Sequence, residues 1–497
     1  MNRNSLTTAV VAGIAGVVGI ANMANAVNLN PDGLGQTLLY PYYTVNAGQQ
    51  TLLSVVNTTG NSKAVKVRFL EGYNSREVLD FNLFLSKYDV WTATVFKLSD
   101  AGVSGTGAGI FTTDNSCTAP AFTTTAAGVP APYQAFLHYA YTGTLSDGGP
   151  TGDSRTNEGH FEMISMGDID PASNLYADTL HKNGVPPDCA DAEADFEAAA
   201  FAAITPPSSG LFGAASVVNV SHGTYYAYNA DALDGFTSKT LGAGTGSLNP
   251  SLNFVNDANP TTATAFVFSG GVLLSAPYPA ATQAIDAVSA VFSANNLYNQ
   301  WQSASDGSVG SDWVVTFPTK RFYVDSSTNY AGTAAPIAPF TSKFAKGLSC
   351  DVVGIGLYDR EERTTSTPTC GFSPCPPGQP PSSLCHETNV ITFGGPSILS
   401  STLTSNLATS ALGNNGWLAL SFTDAAHGGS INTGVAKDAH PMRASNKGQV
   451  FYGLPVTGFE AENFVNGNVN GVLSNYSGVY RHRESRACYN GQTACAS

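Results

Sequence analysis

Oxygen-bearing side chains crowd one stretch of this sequence. Asp147-Gly148-Gly149-Pro150-Thr151-Gly152-Asp153 is followed closely by Asn157 and Glu158. A hard cation needs such carboxylate and amide oxygens on a flexible bend. The expectation is a calcium site on Asp147, Asp153, Asn157 and Glu158. The spacing is not that of an EF-hand, and a polar surface loop is the competing reading. Paired acids are the second chemistry. Asp359, Glu361 and Glu362 form one cluster, and Asp168 with Asp170 another. A glycosidase works with two carboxyl groups at a set separation, but both clusters abut strand ends, where acids commonly sit as solvated turn residues. A G-x-S-x-G elbow, an H-E-x-x-H zinc motif and the phosphate-binding glycine patterns are all missing. No catalytic residue and no cofactor is assigned, and calcium is the one candidate ion.

Eight cysteines carry covalent chemistry: Cys117, Cys189, Cys350, Cys370, Cys375, Cys385, Cys488 and Cys495. Neither close pair is a C-x-x-C, so zinc fits poorly, and an even count in an exported chain reads as disulfides. Val352 to Tyr358 and Val390 to Phe393 are expected to pair as an antiparallel hairpin around a Pro-rich loop. A Cys350–Cys385 bridge would then close a loop of roughly 35 residues, worth about 3–4 kcal/mol in the chain-entropy account. Cys370 with Cys375, Cys488 with Cys495, and Cys117 with Cys189 complete that set, one of the 105 pairings that eight cysteines allow.

An oxidising compartment follows from the N-terminus as well. Arg3, an apolar run from Ala9 to Ala21 and the small-x-small triplet Ala24-Asn25-Ala26 follow the plan of a secretory signal peptide cleaved after Ala26. The run falls short of the about 20 residues that a spanning helix takes. No later stretch is long and apolar enough to span, and the strand spacing is too irregular for an outer-membrane barrel. Leu454-Pro455-Val456-Thr457-Gly458 spells a sortase motif, but Phe459-Glu460-Ala461-Glu462-Asn463 follows where an apolar tail would be needed. Of the 497 residues only 12% are charged, and the net charge is −14. Nucleic acid, which needs clustered Lys and Arg, is disfavoured.

The elements that would position these residues are mostly strands. Thr51 to Asn57 is β-rich and ends in a Thr-Thr-Gly-Asn turn. In Ala64 to Leu70, Val65, Val67 and Phe69 share one face while Lys66 and Arg68 share the other, the pattern of a half-buried strand. Val78 to Leu85, Val90 to Phe96 and Phe161 to Met166 continue the series, with a surface loop from Ser99 to about Pro132. Asp188 is placed to cap a helix over Ala190 to Ala203, stopped by Pro206-Pro207. Ser216-Val217-Val218-Asn219 repeats Ser54-Val55-Val56-Asn57, which suggests either a second related sandwich or coincidence. A helix is expected within Ala281 to Trp301, and strands at Trp313 to Phe317, Arg321 to Val324, Trp417 to Phe422, Pro455 to Val465 and Val472 to Tyr480. The expected fold is mainly β: two β-sandwich domains, immunoglobulin-like or jelly-roll-like, with long loops and a few short helices. The divisions are a signal peptide over 1–26, a first sandwich over 27–185, a helical linker over 186–210 and a larger β domain with insertions over 211–497.

Several segments taken together resemble a known family. They are LLYPYYTVN at Leu38 to Asn46, AVKVRFLEGYNSREVLDFNLFLS at Ala64 to Ser86, WVVTFPTKRFYVD at Trp313 to Asp325, GIGLYDREE at Gly354 to Glu362 and SNYSGVYRHR at Ser474 to Arg483. They resemble exported, largely uncharacterised cell-surface proteins of Gram-negative bacteria. The resemblance implies location and architecture and carries no activity or site residue. The expectation is a secreted, surface or periplasmic protein with a structural, adhesive or assembly role and no catalysis, its partners being itself, other surface proteins or glycans. The alternative is a secreted polysaccharide-binding protein or glycoside hydrolase.

Overall fold

A computed structural model describes residues 26–199, 202–242, 250–256, 261–327, 330–364, 383–423, 440–491 and 493–495. The expected signal peptide lies outside them except for Ala26. The architecture is mainly β, built from antiparallel sheets with a few short helices.

The N-terminal sandwich has two sheets. The first orders its strands Asn28–Leu29, Asp231–Asp234, Thr37–Thr44, Glu158–Ile169, Lys63–Glu71, Glu77–Leu85 and Thr118–Ala119, with Ile204–Thr205 joined to the end of Glu158–Ile169. The second orders Thr224–Asn229, Leu211–Asn219, Gln50–Asn57, Val90–Lys97, Ala108–Phe111 and Tyr133–Ala135. Period-two alternation puts Leu53, Val55, Val65, Val67, Phe69, Trp91 and Phe161 between the sheets. Tyr40 stacks on Phe161 with centroids 4.1 Å apart, and Phe69 stacks on Phe161 at 4.9 Å. Burying each such side chain contributes about 1.5–3 kcal/mol.

The strands from 204 to 234 complete these two sheets. The division drawn at residue 211 therefore runs through the sandwich. Ser54–Asn57 and Ser216–Asn219 lie on adjacent antiparallel strands of one sheet, so their likeness reflects a shared environment within one sandwich. The helix drawn as a linker spans Cys189–Ala199 and packs on the sandwich, with Phe196 against Phe84 at 5.2 Å. The loop expected from Ser99 contributes Ala108–Phe111 as an internal strand, where Ala108 and Ile110 are buried.

The C-terminal half packs on the outer face of the first sheet. Helix Ala280–Phe292 lies on the hairpin Thr262–Ser269/Val272–Pro279. A four-stranded sheet orders Gly354–Asp359, Asn415–Ser421, Asn296–Gln302 and Arg483–Ser485, and a five-stranded sheet orders Thr404–Leu407, Thr388–Phe393, Val309–Thr316, Thr457–Val469 and Val472–Arg481. Gly354–Asp359 and Thr388–Phe393 thus sit in different sheets, correcting the expected hairpin. A two-residue ladder, Asp351–Val352 with Ser383–Leu384, brings the two stretches together instead. Arg321–Val324 is a single helical turn rather than a strand. Its aromatic and β-branched residues favour a strand locally, but the turn after Phe317 aims Lys320 and Arg321 inward, where both are buried.

Candidate functional site

The four residues of the expected calcium site do not converge. Asp147 faces Arg155, whose guanidinium donates to both its carboxylate oxygens at 2.9 and 2.6 Å. The same guanidinium donates twice to Glu71 at 2.8 Å and lies 4.3 Å from the centroid of Tyr141. Burial alone would raise the Asp147 carboxyl, but the hydrogen bonds and charge of Arg155 outweigh it and hold it below its usual range. Asp153 is half exposed and meets His138 at 2.7 Å. Asn157 donates to the Thr106 carbonyl at 3.1 Å. Glu158 is buried and accepts from Tyr42, Asn46, Ser401 and both the amide and hydroxyl of Thr402. Among the described residues no group of three or more His, Cys, Asp or Glu is placed to hold a metal ion.

The acids weighed for catalysis serve their own loops or ion pairs. Asp359 accepts the backbone amides of Glu361 and Arg363 at 2.9 and 2.8 Å and pairs with the Arg363 guanidinium. Glu361 and Glu362 are exposed beside it. Asp168 pairs with buried Lys63 at 2.8 Å, and Asp170 accepts the amide of Ala172 in its turn. Tyr40, Tyr42 and Tyr43 are core residues, as are Tyr226 and Tyr228, while Tyr225 is exposed. Cys117–Cys189, Cys350–Cys385 and Cys488–Cys495 are bonded; Cys370 and Cys375 lie outside the described residues.

What these local readings missed is a buried ionic layer. Lys63–Glu71 and Glu158–Ile169 are buried at every position, so Lys66 and Arg68 do not face water. Lys66 pairs with Asp80, and Arg68 pairs with Glu162 and, at 2.6 Å, with Glu77. From the C-terminal half, Arg321 donates to the Ser75 carbonyl at 3.0 Å and approaches Glu162, and Lys320 meets Asp351 at 3.1 Å. Arg76 reaches Asp325 at 3.0 Å. Glu387 accepts from the Ser75 hydroxyl at 2.9 Å, and burial pushes its carboxyl up to about 8 against the pull of Lys320. His160, buried beside Arg321 and Arg68, is held down to about 3, chiefly by burial. The sequence held one hint: Lys66 and Arg68 stand across the Glu71–Arg76 turn from Glu77 and Asp80. The register sets Arg68 opposite Asp80 and Lys66 opposite Asn82, so both ion pairs run diagonally across the ladder.

Beside a hollow of about 210 Å³ lined by Asp231 and Arg481, which pair at 2.9 Å, two further surface hollows are present. One, of about 370 Å³, lies on the outer face of the six-stranded sheet between Leu52, Ser54, Thr92, Thr94, Ser216 and Tyr225. The other, of about 480 Å³, lies among the turns bearing Ser303, Ser305, Asn406, Thr409, Ser410 and Asn414. Neither is lined by a carboxylate, imidazole, amine or guanidinium. The chain matches no described protein family, no curated protein and no solved structure.

Proposed function

We propose that this is an exported, non-catalytic protein of the cell surface or periplasm, with a structural, adhesive or assembly role. The observation that carries the reading is the placement of charge. Of the acids weighed for hydrolysis, Asp359, Asp168 and Asp170 are committed to guanidinium, ammonium or backbone donors. Glu361 and Glu362 stand exposed beside Asp359, while the two uncharged hollows offer hydroxyls, amides and aromatic edges. Three disulfides support an oxidising compartment. Export with cleavage after Ala26 leaves Val27 as the first residue, its nitrogen 2.8 Å from the Thr264 carbonyl. Mass spectrometry of the exported protein should find that terminus. Incubation with polysaccharide and ester panels should release no product; turnover that disappears when Asp359, Glu361 and Glu362 become Ala would overturn the reading.

A second reading draws on the hollow of the six-stranded sheet. Rows of Ser and Thr hydroxyls beside exposed Tyr225 suit a neutral glycan, which needs hydrogen bonds and a stacking face rather than charge. Affinity electrophoresis in neutral polysaccharide gels tests it: retardation of the wild type that Tyr225→Ala abolishes would favour a binding protein.

A further inference from the structure

The hairpin of Thr457–Val469 and Val472–Arg481 changes character along its length. At its root Glu460 and Glu462 are buried, and Glu462 accepts from Gln302 at 2.8 Å and from the Tyr480 hydroxyl at 3.1 Å. From Asn463 to Tyr480 there is no Asp, Glu, Lys, Arg, His or Pro. This uncharged stretch carries Val469, Val472, Leu473, Tyr476 and Tyr480, all substantially exposed, with Val472 at 63% and Tyr476 at 62%. Asn470 and Gly471 both have positive φ and close it as a two-residue turn.

Val472–Arg481 is the edge strand of the five-stranded sheet. One of its faces rests on the neighbouring sandwich. Leu473 sits over Gly223, Asn475 donates to the His222 carbonyl at 2.6 Å, and Ser477 accepts from the Tyr225 amide at 3.3 Å. The other face presents Val472, Tyr476 and Tyr480. The Asn299 amide donates to the carbonyls of Tyr480 and Arg481 and ends the open edge there. Among the described residues Val472–Val479 has no strand partner besides Thr457–Val469. Edges are ordinarily guarded by Lys, Pro, a bulge or a covering segment. This edge strand has neither Lys nor Pro, and the one irregularity of the ladder falls on the inner strand between Val465 and Asn468.

The order of residue types names the partner. Set antiparallel to itself about Tyr476, the strand places Val472 opposite Tyr480, Leu473 opposite Val479, Ser474 opposite Gly478, Asn475 opposite Ser477, and Tyr476 opposite Tyr476. Apolar meets apolar and small or polar meets small or polar at every position, which is the self-complementarity that a two-fold interface requires. Charge agrees. A chain of net charge −14 repels its copies, and this hairpin is a place where two can meet without apposing like charges. We propose that two copies of this chain pair antiparallel through residues 472–480, joining their five-stranded sheets into one continuous sheet. The proposal rests on the surface-assembly reading above and supplies its partner.

Sedimentation velocity of the purified full-length exported chain across a concentration series tests it, together with Tyr476→Lys and Tyr476→Glu. Wild type should pass from monomer to dimer as concentration rises. Each variant alone should stay monomeric, because like charges then face each other, and an equimolar mixture of the two should dimerise. In parallel, hydrogen exchange on the wild type should show the amides of residues 472–479 gaining protection as concentration rises, a readout independent of whether the variants fold. A wild type that stays monomeric with concentration-independent exchange, or a mixture that stays monomeric while wild type dimerises, overturns the pairing. A wild-type monomer found in surface assemblies with other proteins would sink the self-pairing alone. Turnover of a glycan or ester by the purified chain would sink the surface-assembly reading and leave the sedimentation result to judge the pairing.

Discussion

Two regions of the molecule invert the usual distribution of charge. In and around the eight-stranded sheet, Lys63, Lys66, Arg68, Arg155, Lys320 and Arg321 are buried, with the carboxylates of Glu71, Asp147, Glu162, Asp168 and Asp351 buried beside them and Glu77 and Asp80 at the margin. On the distal hairpin, a run with no charged residue holds Val472, Leu473 and Tyr476 in water. The contrast shows that exposure follows partnership as much as polarity. A buried ion is tolerated when opposite charge and hydrogen bonds surround it; most of these pairs close within one half, and Arg76–Asp325 and Arg321–Glu162 join the two. Among the described residues the exposed apolar edge has no strand partner besides Thr457–Val469, and a second copy is the partner proposed for it.

The sharpest way to break this comparison is Arg155→Met. It leaves Glu71 and Asp147 buried without their shared cation, and a loss of about 3–5 kcal/mol is expected. That equals the loss expected from Phe161→Ala on the apolar face of the same sheet, also about 3–5 kcal/mol. Urea unfolding measures both; a loss for Arg155→Met below about 1 kcal/mol, the worth of a solvent-exposed pair, would refute the sealed layer. Next comes the covalent tie at the margin of that layer. Replacing Cys350 and Cys385 together by Ser should cost about 3–4 kcal/mol. It should also speed hydrogen exchange at the Asp351–Val352 and Ser383–Leu384 ladder, next to the Lys320–Asp351 contact.

A pH series sharpens the comparison at the root of the hairpin. Burial first, and then the charge of Glu462, push the Glu460 carboxyl up from 4.5 to about 9. The folded state therefore holds that proton more tightly than the unfolded chain does. Its contribution is whole below pH 4.5 and is lost progressively as pH rises through 9. Glu460→Gln should flatten the fall in melting temperature across that window, and an unchanged slope would mean that the acid is ionised in the fold. His160 works in the opposite sense. Held at about 3 against an ordinary 6.5, it withdraws stability as pH falls from 6.5 toward 3, and His160→Gln should lessen that acid sensitivity. The smallest effect belongs to the exposed edge: in dilute solution, Tyr476→Lys should leave folding stability within about 0.5 kcal/mol of wild type. A larger loss by urea unfolding would assign Tyr476 to the chain's own packing.

Residues that act on near neighbours were legible in the sequence. The apolar alternation of Val65, Val67 and Phe69 faces the sandwich core as read, and Val472 to Tyr480 is a strand, while Pro455 to Val465 divides at Val456 into strands of two different sheets. The Asp147–Glu158 stretch reads as a ligand loop until Arg155, eight residues from Asp147, is seen to supply the counter-charge from within it. Glu77 and Asp80 across the adjoining turn hint at partners for Lys66 and Arg68, but their burial depends on distant Glu162 and on the segment that brings Arg321 over them.

By itself, then, the sequence determined what short-range chemistry determines: a mainly β chain, its local strands such as Val472 to Tyr480, and an even set of cysteines, for which the pairing of Cys117 with Cys189, Cys350 with Cys385 and Cys488 with Cys495 was one expected arrangement that the structure bears out. Tertiary structure alone decided that 204–234 belongs to the first sandwich, that Arg321–Val324 coils as a turn, and that a face alternating with Lys and Arg is buried. The physical reason is range. Propensity and alternation act over a few residues, whereas the charge beneath a strand is set by whichever distant segment closes over it.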